Sequence, residues 1–128
     1  ANERQLGPFA PTKIFTSREQ PDEAALETLK LSKTVILGGA NQLGDDFSIW
    51  PGVSASEFRR SGLRAVPFGI GINGDPNSNR AFCVNTIATL EAIHEKVEFS
   101  SWRCPRTVAA LETALPSLKG RFLMTGCP

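Results

Sequence analysis

Apolar runs and polar stretches follow each other along this chain at the spacing typical of strands that alternate with helices. The clearest run is TVIL from Thr34, which is rich in β-branched residues, has no polar alternation and leads into two glycines. Such a run is typical of a strand covered on both faces. Pro67 lacks the amide donor that a ladder needs, so we expect a strand end, an edge or a bulge there. The predicted strands are residues 13–16, 34–37, 64–70, 97–102 and 121–125.

Helix start signals and helically spaced apolar residues lie between these runs. A first helix follows Pro21, a second is capped by Ser54 or Ser56, and a fourth opens at Pro105. The third and longest helix is predicted over residues 79–94. Its apolar stripe consists of Cys83, Ile87, Leu90 and His94, with Ile93 beside it.

This order of elements predicts an α/β fold. We expect a Rossmann-like parallel sheet of about five strands with helices on both faces, since each crossover covers the sheet. A chain of 128 residues is near the usual size of one domain, so residues 1–128 are expected to form a single α/β domain. No apolar run approaches the roughly 18 residues that span a bilayer, so no transmembrane segment is expected.

Charge and cysteine content narrow the classes of function. Fourteen basic and thirteen acidic residues give a net charge of +1, and no run of Lys or Arg exceeds the pair Arg59 and Arg60. A basic stripe is missing, so we expect no nucleic-acid partner. The three cysteines form an odd set without a C-x-x-C pair, which argues against a disulfide framework and a zinc site. We therefore expect no metal, and a reducing, cytoplasmic location.

Ligands of open parallel sheets bind beyond the carboxyl ends of the strands, so the residues there are the first candidates for chemistry. After the strand that starts at Thr34, residues Gly38, Gly39 and Asn41 offer flexible backbone amides for a phosphate or a carboxylate at a following helix N-terminus. The alternative is that the two glycines only permit a tight turn. Glycine serves both needs, and the sequence favours neither.

Gly69, Gly71 and Gly74 follow the next strand at the spacing G-x-G-x-x-G. A dinucleotide fingerprint opens its helix at once and has an acidic residue about 20 residues later, at the end of the next strand. Here four residues separate Gly74 from the predicted helix, and the acid at that distance, Glu91, lies inside the helix. We therefore interpret the glycines as small residues that let a ligand or a neighbouring segment approach the backbone. Asn73, in the same loop, joins the candidate binding residues.

The turn SSWRCPRT joins the strand at 97–102 to the helix that follows. Ser101, Arg103 and Thr107 bring hydroxyls, a guanidinium and free backbone amides together at a helix start, where a phosphate or carboxylate binds well. The alternative is that Arg103 pairs with a neighbouring acid. Cys104 would gain acidity at this helix start, but the single histidine, His94, is expected in the core, which argues against a Cys/His dyad.

Taken in order, the strand ends TVILGGANQLGDD, PFGIGI, SSWRCPRTVAALE and TGCP resemble the motifs of the polysaccharide pyruvyl transferase family. Two departures from the family pattern stand out: Ala40 replaces the usual third glycine, and Cys104 stands where an acid is common. The residues that match the family motifs are Gly38 and Gly39, Gly69 and Gly71, Ser101, Arg103 and Thr107, and Gly126, Cys127 and Pro128.

The resemblance implies a two-domain, glycosyltransferase-B-like enzyme with its active site between two Rossmann-like halves, of which this chain would be part of the N-terminal one. It implies transfer of a pyruvyl group from phosphoenolpyruvate, the donor substrate, to a sugar of a polysaccharide or its precursor, with no further cofactor. The general acid and base would come from the other half, so the fragment alone is expected to be inactive. Two alternatives stay open: a nicotinamide-dependent oxidoreductase domain, and a non-catalytic module that binds a nucleotide sugar or a partner chain.

Overall fold

A computed structural model describes residues 22–39, 41–73 and 82–126, where four helices alternate with four strands. The chain thus has the mixed α/β character that the sequence predicts, and the predicted strand at 13–16 lies outside the described residues. A 3-10 turn, Pro116–Leu118, precedes the last strand. The elements are α1 Glu23–Leu31, β1 Thr34–Gly38, α2 Ala55–Ser61, β2 Arg64–Phe68, α3 Val84–His94, β3 Ser100–Trp102, α4 Pro105–Ala114 and β4 Phe122–Met124.

The strands form two parallel pairs, β1 with β2 and β3 with β4. A parallel bridge joins Ile70, just after β2, to Trp102 in β3. The N–H of Gly69 donates to the carbonyl of Ser101 at 3.0 Å, and the N–H of Arg103 donates to the carbonyl of Ile70 at 2.9 Å. These contacts give the order β1, β2, β3, β4, so the carboxyl ends of all four parallel strands lie at one edge.

The described residues form two small sheets joined by this bridge, and the predicted five-stranded sheet is not seen among them. The strand order has no reversal. Ile36 is 38% exposed, although Leu37, which follows it in β1, is buried. Leu123 is 42% exposed, although Phe122, which precedes it in β4, is buried. Side chains alternate between the two faces of a strand. The expectation of a β1 buried on both sides is therefore wrong.

The packed face centres on Trp102, which is fully buried. Its ring lies edge-on to Phe122, with the ring centroids 6.3 Å apart. Leu90 and Ile93 of α3 and Leu111 of α4 complete the layer, and each is fully buried. Burial of one such side chain stabilises the fold by roughly 1.5–3 kcal/mol. This layer holds β3 in place, and with it the turn that carries Arg103.

The first two helices begin directly after residues whose side chains cap them. The Oδ1 of Asp22 accepts a hydrogen bond from the N–H of Ala25 at 2.8 Å and begins α1. Ser54, rather than Ser56, begins α2, because Ser54 and Glu57 form a reciprocal capping box. Each box partner satisfies a backbone donor of the other, at 2.8 and 3.2 Å. The predicted helices at these positions are confirmed.

Two predicted boundaries are wrong. The helix predicted over 79–94 begins at Val84, with Cys83 as an extended, exposed cap, because the N–H of Cys83 donates to the carbonyl of Asp45 at 2.9 Å. Cys83 is therefore not part of a buried apolar stripe, and that prediction is wrong. Residues 79–81 lie outside the described residues. The strand predicted from 97 begins at Ser100, because the N–H of Val97 still bonds to the carbonyl of Ile93 at 3.2 Å and prolongs the helix end.

Candidate functional site

The loops after β1, β2 and β3 meet at the carboxyl edge of the strands. The N–H of Leu43 donates to the carbonyl of Gly71 at 3.1 Å, and the N–H of Asn73 donates to the carbonyl of Leu43 at 2.8 Å. A parallel bridge pairs Leu43 with Ile72. On the other side, the N–H of Arg103 bonds to the carbonyl of Ile70 at 2.9 Å. The loop after β2 therefore lies between the other two and is tied to both.

A hydrogen bond between Asn41 and Arg103 crosses this edge. The Nη1 of Arg103 donates to the Oδ1 of Asn41 at 2.7 Å. Asn41 is exposed and Arg103 is half-buried, so both polar side chains have access to solvent, as has Asn73, which is also exposed. The two side chains lie far apart in the sequence, and both were candidate binding residues. We call this hydrogen bond the Asn41–Arg103 contact.

Gly71 gives the Asn41–Arg103 contact its room. A Cβ at Gly71 would lie 2.5 Å from the Oδ1 of Asn41 and 3.2 Å from the Cδ of Arg103. The backbone of Gly71 is outside the left-handed region, so the glycine is needed here for space. Gly69, by contrast, has a φ of 69°, a conformation that favours glycine. Gly74 lies outside the described residues.

The hydroxyls of Ser101 and Thr107 face internal partners. The Oγ of Ser101 accepts from the N–H of Gly69 at 3.3 Å and is hydrogen-bonded to the Oγ1 of Thr125. The Oγ1 of Thr107 accepts from the N–H of Ile72 at 3.3 Å, and Thr107 is fully buried. Both residues thus hold loops in place. Thr125 was missed by sequence reasoning, although its position at the end of the last apolar run was a signal.

The glycine loop after β1 forms a turn. Gly39 has a φ of 58°, and its N–H donates to the carbonyl of Phe68 at 3.1 Å. Gly38 is the last residue of β1, opposite Phe68. The next helix begins only at Ala55, so no helix N-terminus follows this loop directly. The sequence allows two interpretations of these glycines, an anion-binding loop or a tight turn. The tight turn fits the geometry, because the N–H of Gly39 is already hydrogen-bonded within the chain.

Cys104 caps α4 and contacts Thr107, with the sulfur and the hydroxyl oxygen 3.3 Å apart. This hydrogen bond lowers the pKa of the Cys104 thiol, and the backbone N–H groups of Thr107 and Arg106 and the charge of Arg106 act in the same direction. His94 forms no dyad with it. The Nδ1 and Nε2 of His94 are bonded to the Leu90 carbonyl and the Ser100 hydroxyl, at 2.8 and 2.9 Å, inside the core.

The guanidinium of Arg103 lies at this edge, and its Nη1 already donates to Asn41. A guanidinium offers parallel N–H donors that match a phosphate or a carboxylate, and the start of α4 adds a favourable dipole. Within residues 22–39, 41–73 and 82–126, no group of three His, Cys, Asp or Glu side chains is arranged to hold a metal ion. None of the helices in the same residues is long and apolar enough to cross a membrane.

Comparisons of the chain with protein-family models, with characterised proteins and with solved structures gave no match. The resemblance to the pyruvyl transferases therefore rests on the order of the motifs along the chain. The geometry adds that three of these motifs meet at one strand edge.

Proposed function

We propose that this chain is part of a pyruvyltransferase-like enzyme that transfers a pyruvyl group from phosphoenolpyruvate to a sugar of a polysaccharide or its precursor. In this proposal it belongs to one Rossmann-like half of a glycosyltransferase-B-like enzyme. The observation that carries the proposal is the convergence of Asn41, Gly71 and Arg103, which come from three separate motifs, at a single carboxyl edge. An exposed edge with an arginine suits a donor that carries both a phosphate and a carboxylate.

In the reaction, the enol carbon gains a proton, two sugar hydroxyls add to the neighbouring carbon to form a ketal, and the bond from that carbon to the phosphate oxygen breaks. This needs an acid for the enol carbon, a base that takes the protons of the hydroxyls, and a cation for the leaving phosphate. Arg103 is assigned the last of these. Its guanidinium holds two oxygens of one anionic group at once and stabilises the charge that grows as phosphate departs. The acid and the base are assigned to the second half of the enzyme.

The nicotinamide alternative fits the geometry less well. In a dinucleotide site, the second glycine leaves the backbone open to the pyrophosphate, and the helix starts directly after the third. Here the space beside Gly71 is filled by Asn41 and Arg103, and α3 starts only at Val84. The glycine at position 71 thus makes room for contact between the loops.

The proposal predicts that Arg103 is required for transfer. The protein that carries this chain, given phosphoenolpyruvate and a panel of glycans, is expected to release phosphate. Arg103→Ala should lower kcat/KM by about a hundredfold or more, the usual effect of losing one charge-stabilising donor. Arg103→Lys should recover only part, because an ammonium keeps the charge but loses the paired geometry.

Arg60→Ala is the matched control, because Arg60 is an exposed arginine on α2. It should leave the rate of phosphate release unchanged. Absence of phosphate release with every acceptor would overturn the proposal, and so would an Arg103→Ala variant as active as the Arg60→Ala control. Binding of a nucleotide sugar without any turnover would favour the non-catalytic module.

A further inference from the structure

We propose that the edge of the sheet at which the four strands begin is a docking surface for a membrane that contains anionic lipids. The surface consists of the last turn of each helix and the residues that lead into the next strand, 28–34, 58–64, 91–100 and 111–122, and we call it the basic edge. The proposal does not depend on pyruvyl transfer, because the residues that carry it are separate from the candidate site at the carboxyl edge.

The four segments of the basic edge form one continuous surface. All four strands are parallel, so their starts lie at the same edge. The N–H of Arg64 donates to the carbonyl of Lys33 at 3.2 Å and joins the first segment to the second. Arg59 and Glu95 form an ion pair, with nitrogen and oxygen 2.9 Å apart, between the second and the third. The carbonyl of Arg121, in the fourth, accepts a hydrogen bond at 3.0 Å from the first amide of β3.

Positive charge is concentrated on the basic edge. The sequence has no basic run longer than a pair, so the fold assembles this surface from separate segments. Its cations are Lys30, Lys33, Arg59, Arg60, Arg64, Lys96, Lys119 and Arg121, of which all but the last are exposed, and its carboxylates are Glu91, Glu95, Glu98 and Glu112. At the carboxyl edge, the described helix starts and loops carry the carboxylates Asp22, Glu23, Asp45, Asp46 and Glu57 and the cations Arg103 and Arg106. The described part of the chain therefore has one basic and one acidic edge.

Two large apolar side chains are exposed on the basic edge. Leu31 is 86% exposed and Phe99 is 47% exposed. Leu31 is the last residue of α1 and lies between Lys30 and Lys33 in the sequence. Cations beside an exposed apolar side chain suit the boundary of an anionic bilayer, because the cations attract the headgroups while the apolar group leaves water. Leucine has no ring on which a base could stack, so this combination favours a membrane over a nucleic acid.

The distribution of charge also sets the orientation of the bound protein. Anionic headgroups attract the basic edge and repel the carboxylates of the opposite edge. The strands then begin at the membrane and end on the side of the solution. The loops around the Asn41–Arg103 contact stay accessible in this orientation, so docking does not cover the candidate site.

Co-sedimentation of the protein that carries this chain with phospholipid vesicles tests the proposal. Vesicles of phosphatidylcholine in which a third of the lipid is phosphatidylglycerol should bind the protein, whereas vesicles of phosphatidylcholine alone should not. Arg64→Gln and Lys33→Gln should each weaken binding about fivefold, the effect of one cation near an anionic bilayer. Added salt should weaken binding too, because it screens exposed charges. No binding to the anionic vesicles, or equal binding to both kinds, would overturn the proposal.

Arg106→Gln is the matched control, because Arg106 is an exposed arginine at the start of α4 and its loss changes the net charge by the same amount. It should leave vesicle binding unchanged. Equal losses in Arg106→Gln and Arg64→Gln would mean that net charge drives binding without the basic edge, and would overturn the proposal. Circular dichroism melting checks that each variant is folded.

Variants of Leu31 distinguish a membrane from other anionic partners. Leu31→Ser should weaken binding, most clearly at high salt, because the apolar contact does not depend on charge. Leu31→Trp should bind more tightly, and its emission should shift to shorter wavelength with anionic vesicles relative to the unaltered protein, since tryptophan prefers the interface. Unchanged binding by Leu31→Ser without a shift in Leu31→Trp would overturn the proposal. Tighter binding of a single-stranded oligonucleotide than of anionic vesicles at the same salt would replace the membrane by a nucleic acid.

Discussion

At the scale of single residues, His94 lies in a chain of hydrogen bonds whose directions follow from chemistry. The Nε1–H of Trp102 donates to the Oγ of Ser100 at 2.7 Å. The Leu90 carbonyl only accepts, so the Nδ1 of His94 carries the proton that it shares with this carbonyl. The Nε2 is then an acceptor for the Ser100 hydroxyl, at 2.9 Å. Every donor and acceptor in this buried chain is satisfied while the imidazole is neutral.

Burial lowers the pKa of His94 below its ordinary value of 6.5, and the nearby charge of Arg121 acts in the same direction, against the Leu90 carbonyl. At pH values between the lowered pKa and 6.5, His94 is protonated in the unfolded chain and neutral in the folded chain. The free energy of unfolding is therefore expected to fall as the pH drops below about 6.5, by at most about 1.4 kcal/mol per pH unit for one proton.

Urea unfolding at a series of pH values between 7.5 and 5.5 measures this dependence. His94 is the only histidine, so a His94→Gln variant provides the control. It should lose most of the slope in this window, although it is less stable throughout because a buried hydrogen-bonded ring is gone. Equal slopes in the two proteins would contradict the assignment.

At the scale of elements, the capping box of α2 explains why this helix is short but well defined. Ser54 and Glu57 satisfy two backbone donors at its start, and Gly62 ends it with a φ of 71°. The hydrogen bond from the Ser54 backbone is the main reason why the pKa of Glu57 is lowered. Phe58, which the helix carries, is almost fully buried. Loss of the cap should therefore be felt by the whole core.

Ser54→Ala is expected to lower the free energy of unfolding by about 1 kcal/mol, the usual cost of removing a serine cap. Ser56→Ala is the matched control, since Ser56 is exposed inside the helix, where alanine is the better helix former. Its effect should be neutral or slightly stabilising. Urea unfolding of the two variants side by side checks the difference, and equal losses would show that the cap contributes nothing specific.

The sequence predicts the presence of helices and strands better than it predicts where they end. The starts at Asp22 and Ser54 were predictable, because a side chain next to the helix satisfies the first donors. The starts of α3 and β3 were not, because distant backbone atoms decide them. The carbonyl of Asp45 holds Cys83 extended, and the carbonyl of Ile93 keeps Val97 within the helix end. Contacts of this kind leave no local signal in the sequence.

At the scale of the whole molecule, the strand order accounts for what was predictable about the site. Parallel strands bring their carboxyl ends to one edge, so a meeting of the three loops was expected from the alternation of elements alone. The pairing of Asn41 with Arg103 across Gly71 was not, since it depends on how the loops cross. The same holds for Ser101 and Thr107, whose candidate hydroxyls turned out to bond within the chain.

One apolar cluster joins all the described elements, which predicts that they unfold as a unit. The cluster takes at least one buried residue from each helix and strand: Leu29, Leu37, Phe58, Ala65, Leu90, Trp102, Leu111 and Phe122. Among the described residues, the two small sheets have no strand in common. They are coupled by this shared core and by the bridge between Ile70 and Trp102.

The two tryptophans allow a direct test. Trp50 packs against the cluster from the loop after β1 and Trp102 lies inside β3, so a Trp50→Phe variant reports on β3 alone by fluorescence. Far-ultraviolet circular dichroism of the same variant reports on the helices. With one shared core, both signals should change at the same urea concentration and with the same slope. A fluorescence change at a separate urea concentration would mean that the β3–β4 pair unfolds by itself, and that the bridge to β2 is too weak to couple the two sheets.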